Sequence, residues 1–362
     1  MNDFLSLRIK AIRLETADTK TFIFETLDQI PVVYQAGQFL TFLIQHNGHE
    51  VRRSYSLSSS PEVDELLAVT IKRVVNGEIS RHILDTWKVG DIIQSLYPAG
   101  RFTIKPEENH SRDIILIGAG SGITPLYSLI KTIQIREPHS RITLIYANHN
   151  ATSTIFRDEL EKIALSTAKQ LRCIHIWALP EEGKIVNLAS NAIQYIKGRR
   201  LNNALLEKLI QEKVTGDPDK ALFYLCGPVP VMRMAHITLR FMGYGVHQIR
   251  QEHFVITPLT TREDNVVTVS GAPASVKIKY RSKDFELSVP MEENILQAAL
   301  KQGIQLPYSC RGGRCSTCVA RCLKGKVHMS INEVLTDHDM EEGWVLTCTG
   351  YPETDEVELS FE

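Results

Sequence analysis

The sequence predicts a multidomain protein: an antiparallel β-barrel, then an α/β domain built on a parallel sheet, then a small α+β module. Three observations predict it. At 362 residues the chain exceeds one ordinary domain of roughly 100–200 residues. The first 105 residues carry short β-branched and aromatic runs separated by turn residues. Beyond about Glu107 the pattern changes to apolar runs alternating with helical segments. A composition of 43% apolar and 23% charged residues excludes a disordered or low-complexity chain.

The barrel strands are expected at Leu5–Leu14, Thr19–Glu25, Gln38–Gln45, Arg53–Ser58, Ala68–Arg73 and Ile92–Tyr97. Turns fall at Gln35-Ala36-Gly37 and Asn47-Gly48, and one helix is expected over Ile79–Trp87. In the second domain the continuous apolar run Ile114–Ile117 reads as a strand buried on both faces. Further strands are expected at Ile142–Ala147, Leu171–Ala178 and Leu222–Leu225. Helices are expected at Leu126–Ile135, Phe156–Ala168, Leu205–Gln211 and Pro230–Met242. Residues 257–273, rich in Thr, Pro, Gly and Ser, read as a linker. The last module opens with strands at Ser275–Tyr280 and Asp284–Val289 and continues with a helix at Ile295–Gln302. A cysteine loop follows, and Val357–Phe361 closes the module. The expected boundaries are 1–106, 107–256, 257–273 and 274–362.

Charge restricts the partners. Lys and Arg number 41 against 42 Asp and Glu, so the charge of the whole chain does not favour a non-specific grip on nucleic acid or anionic lipid. The C-terminal module, from Ala274 on, holds 10 basic and 14 acidic residues against 31 and 28 elsewhere. That mild asymmetry suits either its own partners or a solvated surface. No stretch reaches 18 uninterrupted apolar residues, so no membrane insertion is expected. Asp3, Arg8 and Lys10 interrupt what would be the core of a signal peptide, and a cytoplasmic protein is expected.

Five of the seven cysteines fall in the last 53 residues. Cys310, Cys315 and Cys318 form C-x4-C-x2-C, and 29 residues separate Cys318 from Cys348. This is the plant-type spacing for four thiolates around a [2Fe–2S] cluster. Gly312 and Gly313 let the loop wrap closely and aim main-chain amides inward. Structural zinc is the alternative, but zinc sites more often pair two C-x2-C knuckles and only one occurs here. Cys322, four residues on, reads as a core cysteine if its segment is extended. A ligand exchange with Cys318 is the other reading. From Ala274 to the end the chain resembles the plant-type ferredoxin domain, a β-grasp fold. The resemblance implies Cys310 and Cys315 on one iron, Cys318 and Cys348 on the other.

Two further constellations lie upstream. Arg53-Ser54-Tyr55-Ser56-Leu57-Ser58-Ser59 offers a guanidinium for a diphosphate and an aromatic ring for a planar redox group. Ile71-Lys72 precedes Gly77-Glu78-Ile79-Ser80 at a helix start, where free amides and the Ser80 hydroxyl suit a pyrophosphate. Gly118-Ala119-Gly120-Ser121-Gly122-Ile123-Thr124-Pro125 follows a buried strand and opens a helix, which suits a dinucleotide. It departs from G-x-G-x-x-G at Ile123, and Asn148-His149-Asn150 supply no acidic residue after the next strand. A Rossmann dehydrogenase is therefore disfavoured. Cys226-Gly227-Pro228 ends the strand Leu222–Leu225, and Glu252-His253-Phe254 closes the domain.

The R-x-Y-S-x-x-S, G-x-G-x-G-I-T-P and Cys-Gly-Pro segments together resemble the ferredoxin–NADP reductase family. The resemblance implies FAD held by Arg53, Tyr55, Ser56, Ile71, Lys72, Gly77, Ile79 and Ser80. It implies NAD(P)H held by Gly118, Gly120, Ser121, Gly122, Thr124, Cys226, Gly227 and Pro228. Ser56, Thr124 and Cys226 would then stand at the hydride-transfer site. With the C-terminal ferredoxin, the module order resembles the reductase components of multicomponent oxygenases. Those of the phenylacetyl-CoA epoxygenase and of steroid hydroxylases are examples, and reductases for hybrid-cluster protein and fatty-acid desaturases are similar. The implied activity is an NAD(P)H-dependent relay through FAD and the [2Fe–2S] cluster to a protein acceptor, a non-haem di-iron oxygenase. A carrier or redox sensor without turnover is the alternative. The sequence leaves NADH against NADPH open with a lean to NADPH, with Arg157, Arg199 and Arg200 as candidate readers of a 2′-phosphate and no Arg near His149.

Overall fold

The computed structural model describes residues 4–167, 170–180, 192–254 and 273–361. The chain forms two compact units, Met1–Glu252 and His253–Glu362. The expected linker lies outside the described residues except for Pro273.

The first unit begins with a six-stranded antiparallel sheet. Its elements are β1 (Leu5–Thr16), β2 (Thr19–Thr26), β3 (Phe39–His46), β4 (His49–Ser56), β5 (Leu67–Lys72), α1 (Glu78–Thr86) and β6 (Ile92–Ser95). The strand order is β4-β3-β6-β1-β2-β5. Leu57, just past β4, bridges to Val69 of β5, so the two edges meet and the sheet closes as the expected barrel. Alternate residues point inward: Leu7 and Ile9, Phe22 and Phe24, Leu40 and Phe42, Val69 and Ile71. Helix α1 plugs the barrel with Ile79, Ile83 and Leu84. Trp87 meets Phe22 and Phe42 edge-on at 5.5 and 5.2 Å.

A second sheet follows within the same unit. It comprises β7 (Asp113–Ala119), α2 (Ile123–Arg136), β8 (Arg141–Asn148), α3 (Arg157–Ser166), β9 (Leu171–Trp177), β10 (Ile193–Lys197), α4 (Asn203–Lys213), β11 (Leu222–Cys226), α5 (Val229–Phe241) and β12 (Ile249–Glu252). All neighbours are parallel, in the order β10-β9-β8-β7-β11-β12. Every residue of β7 is buried, as a strand covered on both faces requires. Helices α2 and α3 cover one face, α4 and α5 the other. The chain winds outward from β7 to β10 and then returns to place β11 on the other side of β7. The order therefore reverses at β7/β11, and ligands of such sheets bind beyond the carboxyl ends at that point. Helix α2 starts three residues earlier than the apolar pattern suggests, because Pro125 sits in its first turn, where no amide is missed. Strands β10 and β12 are not expected from the sequence. Each is short, and β12 reads Ile-Arg-Gln-Glu with no apolar alternation.

The start of β7 is locked by a buried carboxylate. Asp113 accepts from Arg141 Nε and Nη2 at 2.7 and 3.0 Å and from the amides of Thr215 and Gly216 at 3.0 and 2.8 Å. Burial opposes its ionisation, but Arg141 and the two amides outweigh burial and hold its pKa below the usual carboxylate value. A depressed folded-state pKa contributes stability above the unfolded pKa, which is lost as pH falls through the folded value. Asp113→Ala should cost about 2–3 kcal/mol at neutral pH, and less below about pH 4, in urea unfolding at the two pH values.

The second unit contains β13 (Ala274–Tyr280), β14 (Lys283–Val289), α6 (Ile295–Lys301), β15 (Val319–Lys324), β16 (Val327–Met329), α7 (Asp337–Glu341), β17 (Trp344–Leu346), β18 (Gly350–Pro352) and β19 (Glu356–Ser360). Five strands form one sheet, β14-β13-β19-β15-β17, and β16 pairs with β18 apart from it. Ile295, Leu296, Ala298 and Ala299 of α6 pack into the core with Val276, Ile278, Leu287 and Leu359, a sheet grasping one helix. The strands β15 to β18 and α7 escape a sequence reading because none exceeds six residues. Among the described residues no helix is long and apolar enough to cross a membrane.

Candidate functional site

Arg53, Tyr55 and Ser56 end β4. Arg53 and Tyr55 share a face of the strand by its period of two. The Arg53 guanidinium donates to the Arg52 carbonyl at 2.8 Å, and the half-buried Tyr55 ring tilts against Phe42 at 6.1 Å. Burial pushes the Tyr55 phenol above its ordinary range, partly offset by Arg53 nearby. Ile71 and Ile79 turn their side chains into the barrel core, which leaves only their main chain for a ligand. Lys72 reaches toward Asp18 at 3.6 Å. Gly77 stands at the N-cap of α1 without any side-chain cap. The Ser80 hydroxyl is engaged: it accepts from the Val74 amide at 3.1 Å and donates to the Gly77 carbonyl at 3.3 Å. It therefore shapes the loop that presents the helix start. A half-buried guanidinium and an uncapped helix N-terminus are the donors a diphosphate requires.

Gly118 is the last residue but one of β7, and Gly120–Gly122 form one 3-10 turn that leads directly into α2. Tyr146 holds that turn by donating to the Gly120 carbonyl at 2.9 Å. Thr124 is buried and donates to the Ser121 carbonyl at 3.1 Å. Cys226 pairs opposite Gly118 in register, so the two expected coenzyme segments leave adjacent strand ends at the point of reversal. They touch at Gly122: a Cβ there would lie 2.0 Å from the Cys226 carbonyl oxygen. Gly227 and Pro228 carry the chain from β11 into α5. The Cys226 side chain is buried in the core beneath the turn, so it is the main chain of this segment that lines the strand ends.

A side-chain hydrogen bond between strand ends joins this region to the barrel. Ser56 Oγ donates to Glu252 Oε2 at 2.7 Å, across 196 residues of sequence. Glu252 ends β12 and lies opposite Cys226. Burial pushes the Glu252 carboxyl up to about 8, against the lowering effect of Ser56. Burial, then Glu252, push the Cys226 thiol well above its usual value. A carboxyl that keeps its proton at neutral pH can donate a hydrogen bond as well as accept one. In the sequence Glu252 stands only within the closing Glu252-His253-Phe254 segment, and one Glu at the end of a short strand carries no signal for a role of its own.

In the second unit the loop after α6 brings Cys310, Cys315 and Cys318 together with Cys348, which follows β17. Cys310 interacts with Cys315 and Cys348, and Cys318 with Cys348. The amides of Gly312 and Arg314 each point at Cys310 Sγ from 3.4 Å, and the Cys310 amide points at Cys315 Sγ from 3.4 Å. Cys315 and Cys348, then the two amides, hold the Cys310 thiol far below its ordinary pKa despite its burial. The wrap has a backbone cost: Arg311 and Ser316 sit at φ of 52° and 50°. Gly313 has φ +72°, and a Cβ there would lie 2.5 Å from the Ile331 carbonyl oxygen. Four thiols with inward amides fit a [2Fe–2S] cluster, whose anionic sulfurs need those donors.

Cys322 stands apart. It lies on β15, packs partly buried against the core, and has Sγ 3.3 Å from the Lys324 carbonyl oxygen. Cys322→Ala should leave iron content and visible spectrum intact and cost on the order of 1 kcal/mol in denaturant unfolding.

Comparison with known proteins yields three family models in chain order. An oxidoreductase FAD-binding domain matches residues 6–104, and an oxidoreductase NAD-binding domain matches 116–236. A 2Fe-2S iron-sulfur cluster binding domain matches 278–353. The chain is 31% identical to one component of the 1,2-phenylacetyl-CoA epoxidase of Escherichia coli K12, over 100% of this chain and 99% of that protein. It is 32% identical to the ferredoxin reductase component of the 3-ketosteroid-9-alpha-monooxygenase of Mycobacterium tuberculosis H37Rv, over 99% and 96%. Its fold is similar to that of phthalate dioxygenase reductase, with TM-score 0.59 and 21% identity over 99% and 98% of the two chains.

Proposed function

This chain belongs to the family of modular oxygenase reductases that join FAD-binding, NAD-binding and 2Fe-2S domains in one polypeptide, and we propose on that premise how its residues share the work. It is an NAD(P)H-dependent FAD/2Fe-2S oxidoreductase that supplies electrons to an oxygenase. When bound, the flavin takes two electrons from the coenzyme and the cluster forwards them singly.

Arg53 and the start of α1, with Gly77, Ile79 and Ser80, hold the FAD diphosphate, and Tyr55 packs on the flavin ring. The main chain of Gly118–Pro125 and Cys226–Pro228 receives the coenzyme. Ser56, Thr124 and Cys226 border the place of hydride transfer. Glu252 joins them, and its protonated carboxyl and the Ser56 hydroxyl hold a proton where flavin and nicotinamide meet. Cys310, Cys315, Cys318 and Cys348 hold the cluster. The observation that carries this reading is the Ser56–Glu252 hydrogen bond, because it joins the strand end of the expected flavin segment to that of the coenzyme segments. A cytoplasmic, reducing setting suits cysteines of which none forms a disulfide among the described residues.

The acceptor in this reading is the di-iron oxygenase of a phenylacetyl-CoA epoxidase, supported by similarity over the full length of the Escherichia coli component. The comparable identity to the ketosteroid system makes a steroid monooxygenase the second reading. NAD(P)H-driven turnover of each purified oxygenase with this reductase decides: product from the first alone supports the proposal, and product from the second alone overturns it.

Coenzyme selectivity should be weak. Arg157 is engaged by Asp158 at 3.1 Å and faces Glu161 at 3.9 Å rather than standing free for a 2′-phosphate. Steady-state kcat/KM values for NADH and NADPH are expected within about 100-fold of each other.

A further inference from the structure

Helix α2 starts at the coenzyme segment and runs alongside the chain that leaves the flavin strand. Its residues Ser128, Lys131 and Thr132, at i, i+3 and i+4, share one face. They are 0%, 8% and 3% exposed, on a helix whose inward apolar residues are Ile123, Leu126, Leu129, Ile130 and Ile133. Opposite them lies the stretch Ser59–Asp64, three residues past Ser56. Ser128 Oγ donates to the Ser59 carbonyl, and Lys131 Nζ pairs with Asp64 Oδ2. Thr132 Oγ1 lies 2.9 Å from Ser60 Oγ and donates to Glu62 Oε2 at 2.7 Å. The stretch is itself fixed to the barrel. Tyr34 donates to Ser59 Oγ at 2.9 Å, the Ala68 amide donates to the same oxygen at 3.0 Å, and the Ser60 amide donates to Asp64 Oδ2 at 2.7 Å.

Apolar residues at these three positions would bury surface as well and without the cost of desolvating an ammonium. What a polar network adds is a defined register, since Ser128 and Lys131 each meet one acceptor and Thr132 meets the paired oxygens of Ser60 and Glu62. We infer that Ser128, Lys131 and Thr132, through Ser59, Ser60 and Asp64, are positioning residues that set the separation and angle between the flavin strand end and the coenzyme turn. The inference rests on the flavin and coenzyme assignments above. Ser128 follows Thr124 by one helical turn and Ser59 follows Ser56 by three residues, so a shift of the network moves both sides of the transfer site. Transfer between two bound groups is steep in their separation, whereas the affinity of each group for its own segment is not. The network should therefore act on the rate of flavin reduction and not on binding. Lys131 is also held at 4.5 Å over the Tyr127 ring, so its ammonium has one seat.

The test is anaerobic stopped-flow bleaching of the FAD-loaded protein by saturating NADPH or NADH. Lys131→Met should slow bleaching by about tenfold or more and raise the primary isotope effect with coenzyme deuterated at C4. The dissociation constants of FAD and coenzyme should stay within about threefold, and Lys131→Arg should restore the rate. In flavin-free protein, hydrogen exchange at the amides of Ser59, Ser60 and Asp64 should speed up by about tenfold in Lys131→Met. If Lys131→Met does not fold, Ser128→Ala carries the test, with a loss of about threefold expected. An unchanged bleaching rate in the folded variant overturns the inference, as does a loss confined to coenzyme affinity. Should NAD(P)H fail to bleach the unsubstituted protein, the flavin reading itself falls and takes this inference with it.

Discussion

Cys318→Ser is expected to destroy the [2Fe–2S] spectrum while leaving FAD bound. Cys318 is 2% exposed and its sulfur meets Cys348, so a hard, short hydroxyl there offers a poor fourth ligand with no room to adjust. Damage should stay local, because the cysteine loop belongs to a compact unit, His253–Glu362, with its own core around α6. Ferricyanide, which draws electrons from the flavin directly, should still be reduced by NAD(P)H at more than about half the original rate. Reduction of cytochrome c or of the oxygenase should fall by about 100-fold, because those electrons leave through the cluster. Equal loss of both activities would show that the flavin half depends on the ferredoxin for its integrity. Equal retention would place the cluster off the path.

Glu252→Gln should produce the second large effect, in two readouts of opposite sign. Flavin reduction should slow by about 10–100-fold, since the amide still offers an oxygen to the Ser56 hydroxyl but cannot yield a proton. Stability should move the other way. The folded state holds the Glu252 proton to about pH 8, whereas an unfolded Glu releases it near 4.5. An acid whose folded pKa is raised loses stability as pH climbs from its unfolded to its folded value. The Gln variant lacks that slope, so in flavin-free protein it should gain on the unsubstituted chain between pH 5 and 8 and level off beyond. The gain should approach an upper limit of about 5 kcal/mol at pH 9 and nearly vanish at pH 4, by urea unfolding. A gain independent of pH would contradict a proton held at Glu252.

Much of this architecture is legible in the chain because its chemistry demands particular residue types at particular spacings. Cys310, Cys315 and Cys318, three of the proposed ligands, can be read from one loop, since ligands supplied by a single wrapping loop must be close in sequence. The run Ile114–Ile117 can be read because a strand buried on both faces must be apolar throughout. Glu252 is illegible for the converse reason. Its strand is four residues long and polar, and its role arises when pairing with β11 sets it beside Cys226 and closure onto the barrel brings Ser56 within 2.7 Å. Lys131 and Asp64 are 67 residues apart, and each alone reads as a solvated charge. Ser80 is legible as part of a helix start, but its hydroxyl is spent on the loop Val74–Gly77, a local competition that spacing does not reveal.

The measurement closest to the central claim is cluster reduction by NAD(P)H in matched holoprotein and flavin-stripped protein, followed anaerobically by visible and low-temperature EPR spectroscopy. The holoprotein should contain one FAD and two irons per chain, and NAD(P)H should reduce its cluster after the flavin. Protein stripped of FAD but retaining iron and the Cys310–Cys348 ligand set should keep its cluster oxidised under NAD(P)H and still be reduced by dithionite. Adding FAD back should restore reduction by the coenzyme. Reduction of the cluster by NAD(P)H without FAD would contradict the order of the relay, and a cluster that stays oxidised in the flavin-replete protein would contradict the relay itself.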